Sequence, residues 1–133
     1  NLPMNYGLSF AVIGGGAALG AWLRWGLGLL LNPLLPALPL GTVAANLLGG
    51  YLVGVAVAVF HLNSGLPAEF KLLVITGFLG GLTTFSTFSA EVVERLLSGQ
   101  PGWALLLGGV HLAGSLTATW LGLATLGATR IWG

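Results

Sequence analysis

Charged side chains are too rare in this sequence for the chain to cover a folded core with a water-soluble surface. Only 5% of the 133 residues are Asp, Glu, Lys or Arg, whereas soluble domains carry about 25%. Hydrophobic residues make up 56% of the chain. The sequence therefore predicts an integral membrane protein, and a net charge of +1 argues against a nucleic-acid partner.

Four apolar segments are long enough to cross a bilayer, since a membrane-spanning helix needs about 20 such residues. Turns rich in Pro, Gly, Asn and Ser separate the segments. The expected spans are about 6–31, 40–62, 69–98 and 103–130. We expect an all-α membrane protein of four transmembrane helices, forming a single transmembrane domain over residues 1–133.

The third segment contains residues that weaken a helix in the middle of the membrane. Gly80 and Gly81 are followed by Thr83 and Thr84, and both residue types lower helix propensity, through backbone entropy and side-chain crowding. Irregular backbone at membrane depth is tolerated only where it lies against protein or lines a cavity. The third helix is therefore predicted to be broken at 80–84, and such a break indicates an ion or substrate site.

The residues after the predicted break have chemistry that suits an anion. Phe85 and Phe88 are three positions apart, so they share one helix face, and a phenyl ring has a positive edge. Ser86 and Thr87 add hydroxyl groups in the same turn. Free N–H groups at the start of a half-helix favour an anion, and free carbonyls at the end of the preceding half can bind a small cation. The chain has no Asp, no Cys and no catalytic motif, so we expect no enzyme.

Polar residues within the predicted spans have more than one interpretation. Asn46 either bonds a neighbouring helix or donates its amide hydrogens to a passing anion. Arg24 either reaches the membrane interface or attracts anions to a vestibule. Glu91 either belongs to a solvated helix end or bonds hydroxyls inside the bundle, and Ser115 either lines a polar track or bonds its own helix. His111 has no second ligand nearby, so a metal site is not expected there.

Glycines four residues apart recur in three of the predicted spans. The pairs are Gly16/Gly20, Gly50/Gly54 and Gly77/Gly81. Small residues at this spacing let helix backbones approach closely, within the chain or between chains. The pairs favour a tightly packed bundle, and because four helices alone enclose little interior, a dimer would help to bury the polar residues.

The four basic residues are divided equally between the two ends of the predicted spans. Lys71 and Arg130 lie on the N-terminal side, and Arg24 and Arg95 lie on the opposite side. Membrane orientation follows an excess of Lys and Arg on one side, and this chain has no excess. The charges therefore favour insertion in both orientations and an antiparallel, dual-topology homodimer, although a single orientation set by the first helix remains open.

Three motifs occur in order over three of the four predicted spans. They read Gly-Gly-Gly-Ala-Ala-Leu-Gly-Ala-Trp-Leu-Arg-Trp at 14–25, Gly-Thr-Val-Ala-Ala-Asn-Leu-Leu-Gly at 41–49 and Gly-Phe-Leu-Gly-Gly-Leu-Thr-Thr-Phe-Ser-Thr-Phe-Ser-Ala-Glu at 77–91. In these motifs the chain resembles the Fluc or CrcB family of fluoride channels. The fourth span matches that family only in character.

The resemblance implies a passive channel that exports cytoplasmic fluoride across the inner (plasma) membrane, built in the lipid bilayer as an antiparallel homodimer with two pores. The residues expected to line the pore are Asn46, Phe85, Phe88, Ser86, Thr87 and Ser115. Arg24 would lie in the vestibule, and Glu91 is a further candidate for a polar track. Backbone carbonyls of Gly80 and Thr83 would hold a structural sodium ion at the dimer interface. His111 matches no family position, so its role stays open.

Two other functions remain open from the residues alone. A small dual-topology multidrug or cation exporter would need a membrane-embedded carboxylate to exchange protons, and the first predicted span contains only Arg24 as a charged residue. A non-transporting assembly subunit would suit the glycine-rich packing but would leave the broken third helix unexplained. The residue types predict a narrow pore for a small anion, whereas the choice of fluoride over chloride comes from the resemblance.

Overall fold

The computed structural model describes residues 3–130, and within them the chain is helical and contains no β-strand. In chain order the helices are α1 (Tyr6–Leu31), α2 (Leu40–Leu62), α3 (Ala68–Lys71), a π-helix at Leu72–Leu79, α4 (Gly80–Leu82), α5 (Phe85–Leu97) and α6 (Pro101–Thr125). Single 3₁₀ turns lie at Asn32–Leu34 and Ala128–Arg130. The predicted single domain also includes residues 1–2 and 131–133, which lie outside the described residues.

Four segments of the described chain are long and apolar enough to cross a membrane. They are Tyr6–Leu34, Leu40–Leu62, Ala68–Leu97 and Pro101–Thr125. The expectation of four membrane-spanning helices is therefore confirmed, and the bounds of α1 and α2 agree with the predicted spans. The fourth helix ends earlier than predicted, because Gly127 has a φ of 68° and donates to the Ala124 carbonyl at 2.9 Å, which closes a helix C-terminus.

The predicted break in the third span is present but narrower than expected. Gly80 and Gly81 remain helical in α4, and only Thr83 and Thr84 are extended, with φ/ψ of −84°/154° and −149°/116°. Thr84 caps the start of α5, since its hydroxyl accepts from the Thr87 N–H at 3.1 Å. The break thus falls where two β-branched residues meet rather than at the glycines.

A π-helix precedes the break and was not expected from the sequence. It covers Leu72–Leu79, and π-helical turns are rare and occur mostly at functional sites. The start of this span is tied to the start of α1, because the Asn5 N–H donates to Glu69 Oε1 at 2.9 Å while the Asn5 side chain caps α1 through the Leu8 N–H. These contacts hold α1 along the first half of the broken span.

The predicted glycine pairs pack inside the chain. Gly16/Gly20 and Gly77/Gly81 lie where α1 meets the third span, and Gly50/Gly54 lie where α2 meets α6. A Cβ atom added at Gly20 would lie 2.6 Å from the Leu82 nitrogen, and one at Gly54 would lie 3.0 Å from the Gly122 Cα. Neither site has room for a methyl group, so these backbones pack in direct contact.

Several of the buried side chains are polar, which is costly in a membrane protein. Thr42, Asn46, Thr84 and His111 are all less than a tenth exposed, and they come from α2, the break and α6. Buried polar groups need hydrogen-bond partners. Their partners define the candidate site.

Candidate functional site

The Asn46 side chain joins α2 to the break, because its amide bonds both the backbone N–H and the backbone carbonyl of Thr84. Its Oδ1 accepts from the Thr84 N–H at 2.7 Å, and its Nδ2 donates to the Thr84 carbonyl at 3.0 Å. The same Nδ2 lies 2.9 Å from His111 Nδ1. Of the two interpretations of Asn46, the structure supports the bond to neighbouring segments, because both amide hydrogens have partners within the chain.

His111, to which the sequence assigned no role, lies at the centre of this site. It is only 3% exposed, and its ring stacks on Phe88 with centroids 4.5 Å apart and planes 25° apart. Phe85 meets Phe88 edge to face, with centroids 5.5 Å apart, as their spacing predicts. One signal in the sequence pointed to His111, since an ionisable residue in the middle of a membrane span is usually functional.

A cavity of about 250 Å³ opens beside the break. Its lining residues are Asn46, Thr83, Thr84, Phe85, Phe88, His111, Leu112, Ser115 and Leu116. Four of the six residues predicted to line a pore therefore share one cavity, and they come from α2, α5 and α6. The cavity combines aromatic rings, an amide and hydroxyl groups, and it has no fixed charge in its lining.

The other two predicted pore residues, Ser86 and Thr87, lie outside this cavity. Ser86 is exposed, with its hydroxyl 3.4 Å from that of Thr84. Thr87 lines a second cavity of about 290 Å³, which also has Arg24, Thr42 and Thr84 in its wall. Because Thr84 borders both cavities, the two cavities are neighbours.

The Arg24 side chain bonds the backbone of the broken span. Its Nε donates to the Gly81 carbonyl at 3.1 Å, which lies in the last turn before the break. The guanidinium also borders the second cavity. The Arg24 guanidinium is therefore a positive group that both bonds the backbone before the break and borders the second cavity.

Glu91 is partly buried and bonds a hydroxyl group of α2. Its Oε2 accepts from the Thr42 hydroxyl at 2.8 Å. Its Oε1 is buried and has no hydrogen-bond partner among residues 3–130. Thr42, which sequence reasoning missed, connects this carboxyl group to the second cavity, since it is a lining residue there.

The break leaves the carbonyls of Gly80 and Thr83 without their usual helical donors. In a continuous helix the Gly80 carbonyl would accept from the Thr84 N–H, which instead donates to Asn46. The Thr83 carbonyl would accept from the Thr87 N–H, which instead donates to the Thr84 hydroxyl. Residues 3–130 contain no cluster of three or more His, Asp or Glu side chains that could hold a metal.

The fold and the site together define a class. A broken membrane-spanning helix beside a cavity of aromatic and polar side chains is typical of multi-pass membrane proteins that move small solutes. Comparison with known proteins identifies the family: residues 11–123 match the one described as "CrcB-like protein, Camphor Resistance (CrcB)", and the chain belongs to this family. Membership and the four spans together fit a multi-pass protein of the inner membrane.

Curated relatives named "Fluoride-specific ion channel FluC" are similar over nearly the whole chain. The protein of Dechloromonas aromatica (strain RCB) is 74% identical over 125 residues, which is 94% of this chain and 93% of the relative. The protein of Nitrosospira multiformis (strain ATCC 25196 / NCIMB 11849 / C 71) is 62% identical over 89% of this chain and 92% of its own. The resemblance inferred from the three sequence motifs is thus confirmed.

Proposed function

We propose that this protein is a passive, fluoride-selective channel that exports cytoplasmic fluoride. The observation that carries the proposal is the 74% identity, over 94% of the chain, to a protein named as a fluoride-specific ion channel. The site supports an anion path, because the cavity beside the break is lined by two phenyl rings and by neutral donors rather than by a carboxylate. A channel of this kind is not an enzyme, in line with the absence of a catalytic motif from the sequence.

The N-terminus of α5 places the positive end of a helix dipole beside this path. α5 begins at Phe85, directly after the extended Thr84, and the N-terminus of a helix favours negative charge. Phe85 and Phe88 meet edge to face, and aromatic edges carry partial positive charge. A small anion can therefore be stabilised without a fixed cation that would hold it too tightly for conduction. Arg24, beside the second cavity, would raise the local anion concentration outside this narrow part.

The proposed channel is an antiparallel homodimer with two pores, one beside each helix break. Phe85 is 78% exposed although it borders the cavity, and an apolar groove of about 830 Å³ lies between α5 and α6. A second copy would cover both and close the cavity from lipid. The equal division of the four basic residues favours pairing of copies with opposite orientations.

We place the structural sodium ion at the carbonyls of Gly80 and Thr83. Unwound backbone carbonyls at membrane depth are known ligands for sodium in other membrane proteins, and here the donors that would normally satisfy these two oxygens are bonded elsewhere. One subunit offers the carbonyl oxygens of Gly80 and Thr83, and a two-fold axis through the break would bring four such oxygens together. The proposed sodium site therefore requires the dimer, and a bound ion would in turn stabilise the dimer.

Ion efflux from liposomes tests the proposal. The purified protein is reconstituted, liposomes are loaded with fluoride or chloride, and a potassium ionophore balances the charge while electrodes record the released anion. We expect fast fluoride release without chloride release, and release that depends on the ionophore because the flux is electrogenic. Folded protein that releases no fluoride would reject the proposal in favour of cation exchange or a purely structural role.

A further inference from the structure

We propose that His111 donates a hydrogen bond to the permeating anion through its ring Nε2–H, and that Asn46 holds the ring in the tautomer that provides this donor. The inference rests on the proposed fluoride channel and assigns a role to a residue that the sequence left without one. It follows from the hydrogen bonds at the break, taken in order from the backbone outward.

The backbone of Thr84 fixes the orientation of the Asn46 amide. A backbone N–H can only donate, so the Asn46 atom 2.7 Å from the Thr84 nitrogen is the acceptor Oδ1. The other amide atom is then Nδ2, which lies 3.0 Å from the Thr84 carbonyl and 2.9 Å from His111 Nδ1. A rotation of the amide by half a turn would place two donors together and two acceptors together at Thr84, so this orientation is locked.

The Asn46 amide in turn fixes the proton on the His111 ring. Nδ2 has two hydrogens and no acceptor capacity, so the His111 Nδ1 that faces it must be unprotonated. A neutral imidazole with a bare Nδ1 carries its proton on Nε2. The ring is held in place as well as in tautomer, because it stacks on Phe88 at a centroid distance of 4.5 Å.

The resulting Nε2–H is a buried donor without an acceptor. Nε2 has no hydrogen-bond partner among residues 3–130, and the residue is 3% exposed. A buried donor left unpaired is unfavourable, and His111 lines the cavity beside the break. Fluoride is a strong acceptor that would satisfy it. Both amide hydrogens of Asn46 are occupied, so among the residues of this lining the His111 Nε2–H is the unpaired side-chain N–H.

Two substitutions separate the donor role from a structural role. His111→Asn keeps an acceptor for Asn46 Nδ2, because its amide oxygen can occupy the position of ring Nδ1, but it has no donor at the position of Nε2. His111→Gln places an amide N–H near the position of Nε2 but removes the acceptor for Asn46. We expect fluoride efflux to fall about tenfold or more in His111→Asn, the range for a lost hydrogen bond to a charged acceptor, with thermal stability close to wild type. His111→Gln should keep more efflux than His111→Asn while being the less stable protein.

A structural role for His111 predicts a different order, in which the less stable variant also conducts less. The inference is overturned if wild type and His111→Asn release fluoride at the same rate, or if efflux simply follows stability across the two variants. Wild-type protein that releases no fluoride rejects the proposed function itself, so the two failures are distinguishable.

The tautomer is measured independently of flux. The chain contains two histidines, so ¹⁵N-histidine labelling gives two pairs of ring-nitrogen signals, and the pair absent from His111→Asn belongs to His111. We expect a protonated Nε2 and a bare Nδ1, with an Nε2 signal that moves when sodium fluoride is added and not when sodium chloride is added. A proton on Nδ1, or an Nε2 signal that ignores fluoride while the protein conducts it, would overturn the inference.

Discussion

Replacing Asn46 with alanine should destabilise this protein more than replacing any of its other Asn or Gln residues with alanine. The substitution removes the bonds to the Thr84 N–H at 2.7 Å, to the Thr84 carbonyl at 3.0 Å and to His111 Nδ1 at 2.9 Å. Each buried polar group left unpaired costs about 1–3 kcal/mol. Three such groups give about 3–9 kcal/mol, and water entering the cavity from the side of His111 would recover part of it, so we expect a loss of about 3 kcal/mol or more.

The assay is equilibrium unfolding in mixed micelles, followed by circular dichroism. Asn63→Ala is the matched control, because the same amide is removed from an exposed position where it donates once, to the Val59 carbonyl at 2.8 Å. Exposed substitutions of this kind change stability by about 0.5 kcal/mol at most. Equal losses for the two variants, or a loss below about 1 kcal/mol for Asn46→Ala, would refute the claim that this amide holds the helix break together.

Three further predictions concern conduction, packing and sodium. Phe88→Ala removes the ring that stacks on His111. We expect fluoride efflux from liposomes to fall at least about tenfold, while size-exclusion chromatography still shows a dimer. The control is Phe10→Ala, which removes an exposed ring on α1 and should leave efflux unchanged. Gly54→Ala drives a methyl group into the backbone carbonyl oxygen of Thr119 in α6 and should cost at least about 1–3 kcal/mol of unfolding free energy. Gly15→Ala, with no atom within 4 Å of the new methyl group, should cost nothing. Replacing sodium by a large organic cation during purification should weaken the dimer and lower efflux; a dimer of equal stability with no bound sodium would contradict the proposed cation site.

The ends of α1 and α2 could be predicted because their signals are local. Pro33 cannot continue α1, and the turn after Leu62 has Asn63 and Gly65 in it, so the chain itself marks both boundaries. The break in the third span was predictable for the same reason, although its extent was not. Gly81 packs directly against the α1 backbone at Ala17, and no local pattern contains that contact.

The site could be predicted only in part, because its bonds join residues far apart in the chain. Asn46 and His111 are 65 residues apart, and Arg24 and Gly81 are 57 apart. Sequence reasoning named Asn46 and Arg24 as polar residues at membrane depth but left two interpretations of each. It left His111 without a role, since a lone histidine has no pattern around it. The π-helix was missed because a shift from i→i+4 to i→i+5 bonding has no reliable composition.

The reversal potential of the current in a planar bilayer tests the central claim most directly. Protein is fused into a bilayer with a tenfold fluoride gradient and equal chloride on both sides, and the voltage of zero current is read. A passive fluoride-selective channel predicts a reversal potential at the fluoride equilibrium value, about 59 mV in magnitude for a single charge. A reversal potential near zero, where chloride is at equilibrium, or a fluoride current that persists without any driving force, would contradict the account.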